Sequence, residues 1–184
     1  MDTVMKLNKL ALLLATITLG AASSASFAAK DDGEITFKGS IIEAPCSIAS
    51  DSANQTVQMD KVTSSVLKNG GKSTPKAFQI RLTECDLTDA KKTVTATFKG
   101  QTSIPQPDLL AFTTGVASGA SLAIADARGN LIKANTASLA TKLISSDNVL
   151  QFQAYLQGDM DGQTGANIVP GEFTTSATFA LTYQ

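Results

Sequence analysis

Few residues in this sequence could carry out chemistry, and its two cysteines come first. Cys46 and Cys85 are the only cysteines among the 184 residues, and the sequence contains no histidine. Without histidine, Ser-His-Asp and Cys-His catalytic arrangements and the usual zinc sites are excluded. Carboxylate pairs such as Asp31 and Asp32 lie in segments predicted to be flexible or turns, with no hydrophobic pocket to make one a general acid. The residues argue against an enzyme, and we predict no cofactor.

One segment, residues 158–162, resembles a metal-binding loop. Asp159 and Asp161 are separated by one residue and flanked by glycines, a spacing that hints at a calcium loop. The further oxygen ligands that such a loop requires are absent at calcium spacing. We therefore predict a polar turn here and no metal site.

The first 28 residues have the pattern of a secretory signal peptide. Lys6 and Lys9 form a basic start, residues 10–22 are apolar and uncharged, and residues 26–28 (Ser-Phe-Ala) place small residues where a signal peptidase cleaves. A transmembrane anchor is the alternative, but the apolar run falls short of the ~20 residues that span a bilayer. We predict cleavage after Ala28 and export of the remaining chain.

Export places both cysteines in an oxidising compartment. A disulfide between Cys46 and Cys85 is then the default, because both lie in the exported part and no other cysteine competes. Two thiols without a histidine would also make a poor zinc site. In the chain-entropy model a bridge across a loop of this size contributes roughly 4 kcal/mol. We predict that the bridge is structural.

The exported chain is of a size and charge that suit one soluble domain. Cleavage leaves 156 of the 184 residues, enough for a single domain with a hydrophobic core. It also removes two of the 15 basic residues and one of the 16 acidic residues, which leaves 13 against 15. Because no cluster of lysine or arginine stands out, we predict no nucleic-acid partner.

The exported chain opens with a strict alternation from Gly33 onwards. Apolar residues and glycines occupy every second position, and Glu34, Thr36 and Lys38 face the other way. This pattern is typical of a strand buried on one side, and a glycine in the buried register indicates that another backbone approaches closely. The pattern alone leaves open whether the strand belongs to its own domain or joins another sheet. The alternating positions are Gly33, Ile35, Phe37, Gly39 and Ile41.

The rest of the chain has the pattern of short strands joined by turns. Residues 62–68 are the exception, a predicted helical turn closed by the sequence Asn-Gly-Gly at 69–71. Cys85 falls out of the alternation of its strand, so a bulge or strand end near Glu84 is needed to turn the thiol inward. Strands at this spacing, with Gly, Asn and Asp turns, predict an antiparallel β-sandwich. The predicted strands are 56–59, 77–85, 93–98, 120–126, 131–133, 149–157 and 173–183.

Three features together resemble the pilins of the chaperone–usher pathway, which build type 1 and P-like fimbriae. The first is the alternating N-terminal segment that continues into Ala44-Pro45-Cys46, and the second is the cysteine pair. The third is a C-terminal alternating strand whose penultimate residue is tyrosine. The pattern is most similar to major subunits of mannose-resistant fimbriae and covers essentially the whole exported chain. The C-terminal positions it marks are Gly171, Ala177, Phe179, Leu181 and Tyr183.

The resemblance implies an all-β fold, an incomplete immunoglobulin-like antiparallel sandwich that lacks its last strand. A hydrophobic groove would then lie beside the C-terminal strand. A periplasmic chaperone would lend a strand to this groove, and at the outer-membrane usher the N-terminal arm of the next subunit would replace it. A donated strand pairs backbone groups and covers apolar surface that an open groove would leave exposed. Contact between two different surfaces extends into a fibre.

We therefore expect a structural subunit of a surface fimbria that supports cell adhesion. Residues 29–41 would form the donor-strand arm and residues 42–184 the pilin domain, with Tyr183 implied by the resemblance as a chaperone contact. The partners would be the chaperone, the usher and identical or related pilins, and a host-surface receptor stays open. The alternative is a minor or receptor-binding subunit of the same pathway. A two-domain tip adhesin would carry an additional lectin domain, so a shaft subunit is favoured.

Overall fold

The computed structural model describes residues 33–39, 41, 44–88 and 92–184. These residues divide between two compact units, with the boundary between residues 40 and 41. In the first unit, residues 33–39 adopt no regular secondary structure. The predicted signal peptide, residues 1–28, lies outside the described residues. No helix in the described ranges is long and apolar enough to cross a membrane.

The second unit is built from short strands with three helical turns. The helical turns are α1 (Ser50–Ala53), α2 (Ser64–Leu67) and a 3₁₀ turn (Lys68–Gly70). The strands are β1 (Ser47–Ile48), β2 (Lys76–Thr83), β3 (Thr93–Lys99), β4 (Thr114–Gly115), β5 (Ala120–Asp126), β6 (Leu131–Ile132), β7 (Thr141–Lys142), β8 (Asn148–Gly158), β9 (Met160–Asp161), β10 (Thr164–Gly165), β11 (Phe173–Thr174) and β12 (Thr178–Tyr183).

Two main sheets hold most of these strands. The larger sheet has the order β1-β2-β8-β5-β6, and the smaller has the order β12-β3-β7. The 11-residue strand β8 lies at the centre of the larger sheet, because β2 pairs with it on one side and β5 on the other. Two short pairs, β9 with β10 and β4 with β11, complete the described ladders. Every one of these pairs is antiparallel, as the sequence predicted.

The hydrophobic core lies between the two main sheets. Ile80 and Leu82 of β2 are 0% exposed, and Val94 of β3 is 1% exposed. Phe98 of β3 contacts Phe152 of β8 edge to face, with ring centroids 5.0 Å apart. Aromatic pairs of this geometry contribute about 0.5–1.5 kcal/mol beyond the area they bury. The sheets are therefore joined by aromatic contacts at the level where β3 approaches β8.

The predicted strands at 77–85, 93–98, 120–126, 131–133 and 149–157 are confirmed to within a few residues. The predicted strand at 56–59 is wrong, because no strand of the described chain pairs with this segment. The burial of its side chains does alternate, because Val57 and Met59 are partly buried and their neighbours are exposed. The predicted strand at 173–183 is interrupted, because residues 175–177 separate β11 from β12.

The predicted polar turn at residues 158–162 is only partly correct. Gly162 has the positive φ of a turn, +62°, between β9 and β10. Asp159, however, is buried, and its Oδ1 accepts hydrogen bonds from the Ser121 hydroxyl and from Gln106 Nε2. This carboxylate therefore joins neighbouring segments instead of facing solvent.

Cys46 and Cys85 form a disulfide, as predicted. Strand β2 ends at Thr83, and Glu84 adopts a left-handed conformation with φ of +54°. This single residue breaks the alternation and turns the Cys85 side chain into the core, where it is 8% exposed. The predicted strand end near Glu84 is therefore confirmed.

The bridge should dominate the stability of the domain. We expect that titration of the unfolded, unreduced protein finds no free thiol. Replacement of Cys46 and Cys85 together by alanine should lower the free energy of unfolding by roughly 4 kcal/mol, since the unfolded chain regains the entropy of a 39-residue loop. Denaturant unfolding of both forms measures this difference. Two reactive thiols per chain in the wild type would contradict the bridge.

A second stability prediction concerns the turn between β5 and β6. Asp126 accepts hydrogen bonds from Arg128 N and Asn130 N at 2.9 Å, and from Asn130 Nδ2 at 2.8 Å. The Asn130 side chain is the main cause that lowers the pKa of Asp126. The stabilisation is therefore present above the ordinary aspartate pKa of about 4 and is lost as the pH falls through the lowered value. Asp126→Ala should remove this pH dependence, and melting temperatures between pH 2 and pH 6 (roughly the range of carboxylate titration) test it.

Candidate functional site

The last strand, β12, is paired along one edge. It runs antiparallel to β3, and at its end Gln184 and Thr93 exchange two N–H···O bonds of 2.9 Å. Because bonded and non-bonded positions alternate in an antiparallel ladder, the backbone groups of every second residue point away from β3. No other strand of the described chain pairs with β12. The residues with outward-pointing backbone groups are Phe179, Leu181 and Tyr183.

The same three residues also contact the core through their side chains. Phe179, Leu181 and Tyr183 are partly buried and pack against the main hydrophobic cluster. Burial raises the pKa of the Tyr183 phenol, so the phenol stays neutral at physiological pH. One strand therefore presents partly covered apolar side chains together with an unpaired backbone edge, which is the kind of edge that accepts a further strand.

A groove of ≈ 980 Å³, lined by many apolar and some polar side chains, lies beside the start of β12. Core residues of both sheets reach it, among them Phe98 of β3 and Leu156 of β8. Phe112 and Phe173 stack with ring centroids 4.3 Å apart and contribute a further part of the lining. The groove thus exposes the interior of the sandwich along one side. Other apolar residues in its lining are Met59, Val62, Phe78, Leu122, Ile124 and Ile168.

One polar atom in the groove wall has no partner. Thr175 lies in the interruption between β11 and β12 and lines the groove. Its Oγ1 is buried and makes no hydrogen bond within the described chain. A buried hydroxyl without a partner costs about 1–3 kcal/mol. This atom is therefore a candidate contact for whatever pairs with β12.

Three of the five predicted C-terminal positions line this groove. Phe179 and Ala177 line it, although Ala177 precedes β12 and is exposed instead of facing the core. Gly171 lines it as well and lies against Val116, since a Cβ atom at Gly171 would be 2.4 Å from Val116 Cγ2. Leu181 and Tyr183 lie further along the strand. Their predicted functional roles stay predictions.

The predicted N-terminal positions form no strand in this chain. Ile35 is 77% exposed, Phe37 is 89% exposed and Ile41 is fully exposed. A Cβ atom added at Gly33 or Gly39 would meet no heavy atom within 4 Å. Among the described residues, the alternation that predicts a buried strand is therefore not matched by any strand pairing, and its large apolar side chains are exposed.

Several residues of the groove were missed in the sequence. The alternation of Val57 and Met59 carried the signal, but it indicated a strand and not a groove wall. Phe112 and Phe173 lie 61 residues apart in the chain, and neither belongs to a pattern that would predict their stacking. Thr175 sits in a run of threonine and serine residues where one hydroxyl cannot be told from the next.

Comparisons with known proteins agree with this geometry. The model of the fimbrial protein family matches residues 35–184. The Fimbria A protein of Serratia marcescens is 50% identical over 180 residues, which cover 98% of this chain and 100% of that protein. The Major MR/P fimbria protein of Proteus mirabilis is 44% identical over the same coverage of both chains. The solved P pilus rod subunit PapA is 30% identical with a TM-score of 0.65, covering 77% of this chain and 100% of that one.

A further solved structure, that of a chaperone–usher pilus, gives a TM-score of 0.69 at 31% identity, over 83% of this chain and 96% of that subunit. The fold and the groove define the immunoglobulin-like class of pilin subunits. The chain belongs to the fimbrial protein family, and it is a structural subunit of a surface fimbria. The sequence prediction of family, fold class and location is confirmed.

The unpaired hydroxyl of Thr175 gives a test of the groove geometry. Thr175→Val replaces the hydroxyl by a methyl group of similar size, so the isolated subunit should keep its stability or gain up to about 1–3 kcal/mol. Thr175→Ser, which keeps the hydroxyl, is the matched control. Denaturant unfolding of the three proteins measures the difference. A loss of stability in the valine variant alone would show that the hydroxyl has a partner within the subunit.

Proposed function

We propose that this pilin polymerises by donor-strand exchange, in which the arm of one subunit pairs with β12 of the next. One observation carries the proposal: the described residues contain both an exposed alternating sequence that pairs with no strand and, in β12, a strand edge that is unpaired beside a groove. The arm residues Ile35 and Phe37 have the size and spacing to fill such a groove. Full burial of each would contribute about 1.5–3 kcal/mol.

The lengths of the two elements agree. The alternating segment from Gly33 to Ile41 has nine residues, and so does the segment from Thr175 to Tyr183. Nine residues of strand extend about 27 Å. An arm aligned along β12 therefore reaches the outward-pointing groups of three residues and extends to the unpaired Thr175 hydroxyl. Arm and groove are different surfaces, so the contact repeats head to tail and builds a fibre.

The groove also explains why this subunit would need partners before assembly. Its apolar lining and unpaired backbone edge are costly in water and promote aggregation. A periplasmic chaperone that lends a strand to β12 would satisfy both, and an outer-membrane usher would be the place where the arm replaces it. In this proposal residues 1–28 serve as the signal peptide, residues 29–41 as the arm and residues 42–184 as the pilin domain. The absence of histidine from the sequence supports a purely structural role without enzymatic activity.

Substitutions in the arm distinguish two interpretations of it: a donor strand that pairs with a neighbouring subunit, or an ordinary first strand of its own domain. Phe37→Ala should weaken the junction by roughly 2–5 kcal/mol, because a pocket in the neighbour loses its occupant. Gly39→Leu should weaken it by about 1–3 kcal/mol or more through overpacking. In both cases the chaperone-bound monomer should still accumulate, while the ladder of unboiled fibres on an SDS gel is lost. Lys38→Ala, on the opposite face of the arm, is the matched control.

A fusion tests the same mechanism in one molecule. Residues 30–41 are placed after Gln184 on a short flexible linker, so that the strand is supplied within the chain. This protein should fold without a chaperone, remain monomeric and melt at a higher temperature than the chain without any donor strand. An unchanged melting temperature would reject donor-strand pairing for this pilin.

The end of β12 should matter for export. Deletion of residues 182–184, or Tyr183→Ala, removes part of the edge or the apolar ring that anchors it, so less pilin should reach the surface and more should be degraded in the periplasm. Tyr183→Phe keeps the ring and controls for the hydroxyl alone. Quantitative immunoblots of surface and periplasmic fractions measure the effect. Normal fibres and normal co-purification of the chaperone with the deletion variant would exclude this role.

A further inference from the structure

The long strand β8 gives the pilin domain two distinguishable ends. At its start, Asn148 Nδ2 donates a hydrogen bond to Cys85 Sγ at 3.4 Å, so this end lies beside the disulfide. At its finish, Gly158 O accepts a hydrogen bond from Gln106 Nε2 at 2.9 Å, so the other end lies beside the loop of residues 100–111. Ten steps of strand separate them by about 33 Å. We call them the disulfide end and the loop end.

Strand β12 runs from the loop end towards the disulfide end. Its first residue, Thr178, pairs with Lys99. Gly100 follows Lys99 in the chain, and a Cβ atom on Gly100 would lie 2.9 Å from Leu110 Cδ2. The start of β12 therefore adjoins the loop of residues 100–111. Tyr183, five residues further along the strand, lies towards the disulfide end.

The direction of the donated arm follows from the pairing in this fold. Every strand pair in the described chain is antiparallel. An antiparallel arm of nine residues that starts beside Tyr183 places its last residue, Ile41, beside Thr175, three residues before the start of β12 at the loop end of the acceptor. From Ile41 the donor chain reaches its own disulfide at Cys46 in five residues, at most about 18 Å. The disulfide end of the donor is thus held against the loop end of the acceptor.

Both of these ends expose large apolar side chains. At the loop end, Ile104 is 94% exposed and Val116 is 74% exposed. Val116 lies three residues before Gly119, whose carbonyl accepts a hydrogen bond from Asp159 N just past the finish of β8. At the disulfide end, Ile144 is 78% exposed, and its N–H donates to Asn148 Oδ1 at 3.0 Å. The apolar surface lies where a short chain connection brings two copies together.

The loop that carries Ile104 is firmly attached to the domain. Gln106 Nε2 donates to Asp159 Oδ1 at 3.0 Å in addition to Gly158 O, and Gln106 Oε1 accepts from Gln157 Nε2 at 2.8 Å. Leu109 is 3% exposed and packs in a small cluster on the larger sheet. An exposed isoleucine on an ordered loop loses little conformational entropy on contact, which favours a binding role.

From these observations we propose a second contact between consecutive subunits of the fibre, made by Ile104 and Val116 of the acceptor and Ile144 of the donor. The occupant of each surface is another copy of this chain. The contact rests on the proposed donor-strand exchange, which sets the distance between the two ends. It restricts how far one subunit swings relative to the next.

Cross-linking tests the contact in assembled fibres. The double variant Ile104→Cys with Ile144→Cys is treated with a short bifunctional maleimide, boiled and run on an SDS gel. A covalent ladder of dimers and higher oligomers is expected, since each copy contributes one thiol to each of two junctions. The matched control pairs Ile104→Cys with Leu139→Cys, because Leu139 is 71% exposed but lies beside the middle of β3, where Ser138 N donates to Ala96 O. It should give no ladder.

Each single variant should react with one monofunctional maleimide per chain, which shows that the thiol is accessible and the native disulfide intact. If both thiols react in this way and the double variant still gives no ladder, the proposed contact is wrong. If unboiled wild-type fibres give no ladder of oligomers on the SDS gel, donor-strand exchange itself is rejected. The two failures are therefore distinguishable.

Charge substitution gives an independent measurement. A buried carboxylate in an apolar contact is unfavourable, so Ile104→Asp and Ile144→Asp should each increase the rate of fibre dissociation in guanidinium by about tenfold, equivalent to ~1.4 kcal/mol. Leu139→Asp should leave the rate within about twofold. When the same three substitutions are made in the monomeric fusion, which carries its own donor strand, its melting temperature should be unchanged. Equal rates for all variants would overturn the contact.

Discussion

The unpaired edge of β12 is the constraint on which the rest of this structure depends. Phe179, Leu181 and Tyr183 pack against the core, while among the described residues the backbone of β12 pairs only with β3. Strand β3 already pairs with one edge of β12. A rearrangement within this sheet therefore cannot also supply hydrogen-bond partners for the backbone groups at the other edge. A partner for this edge therefore has to come from a different segment, and in the proposed exchange that segment is the alternating arm of the next subunit.

The groove and the core share residues, which couples folding to assembly. Phe78, Phe98 and Phe152 pack against one another with centroid distances between 5.0 and 6.0 Å, and Phe78 and Phe98 also line the groove. A strand that enters the groove therefore adds contacts to the centre of the sandwich. Because a ligand that binds only the folded state stabilises it, the proposed exchange would make the stability of each subunit depend on its neighbour.

Much of the fold was predictable from local pattern, and the site was not. Every second residue of strands β2, β3 and β8 includes large apolar side chains that pack in the core, so period-two alternation in the sequence located these strands. Residues 56–59 alternate for a different reason: Val57 and Met59 approach the groove wall without any ladder. Periodicity reports which side chains are buried, and it does not report which backbone groups are paired. The groove itself followed only from the family resemblance, since Phe112, Phe173 and Thr175 converge through long-range topology that local sequence does not encode.

In a fibre whose subunits are joined through their arms, the disulfide would have a mechanical role. Tension along a chain of strand-linked subunits passes from the arm through residues 42–45 to Cys46. The bond to Cys85 transfers this load to the end of β2, and Asp86 N, which donates to Pro45 O at 2.7 Å, closes the same junction with a backbone hydrogen bond. Strand β1 alone has two residues and would peel from β2 under such a load. The covalent bridge therefore lies at the point where an arm anchored in the neighbour would otherwise unravel its own domain.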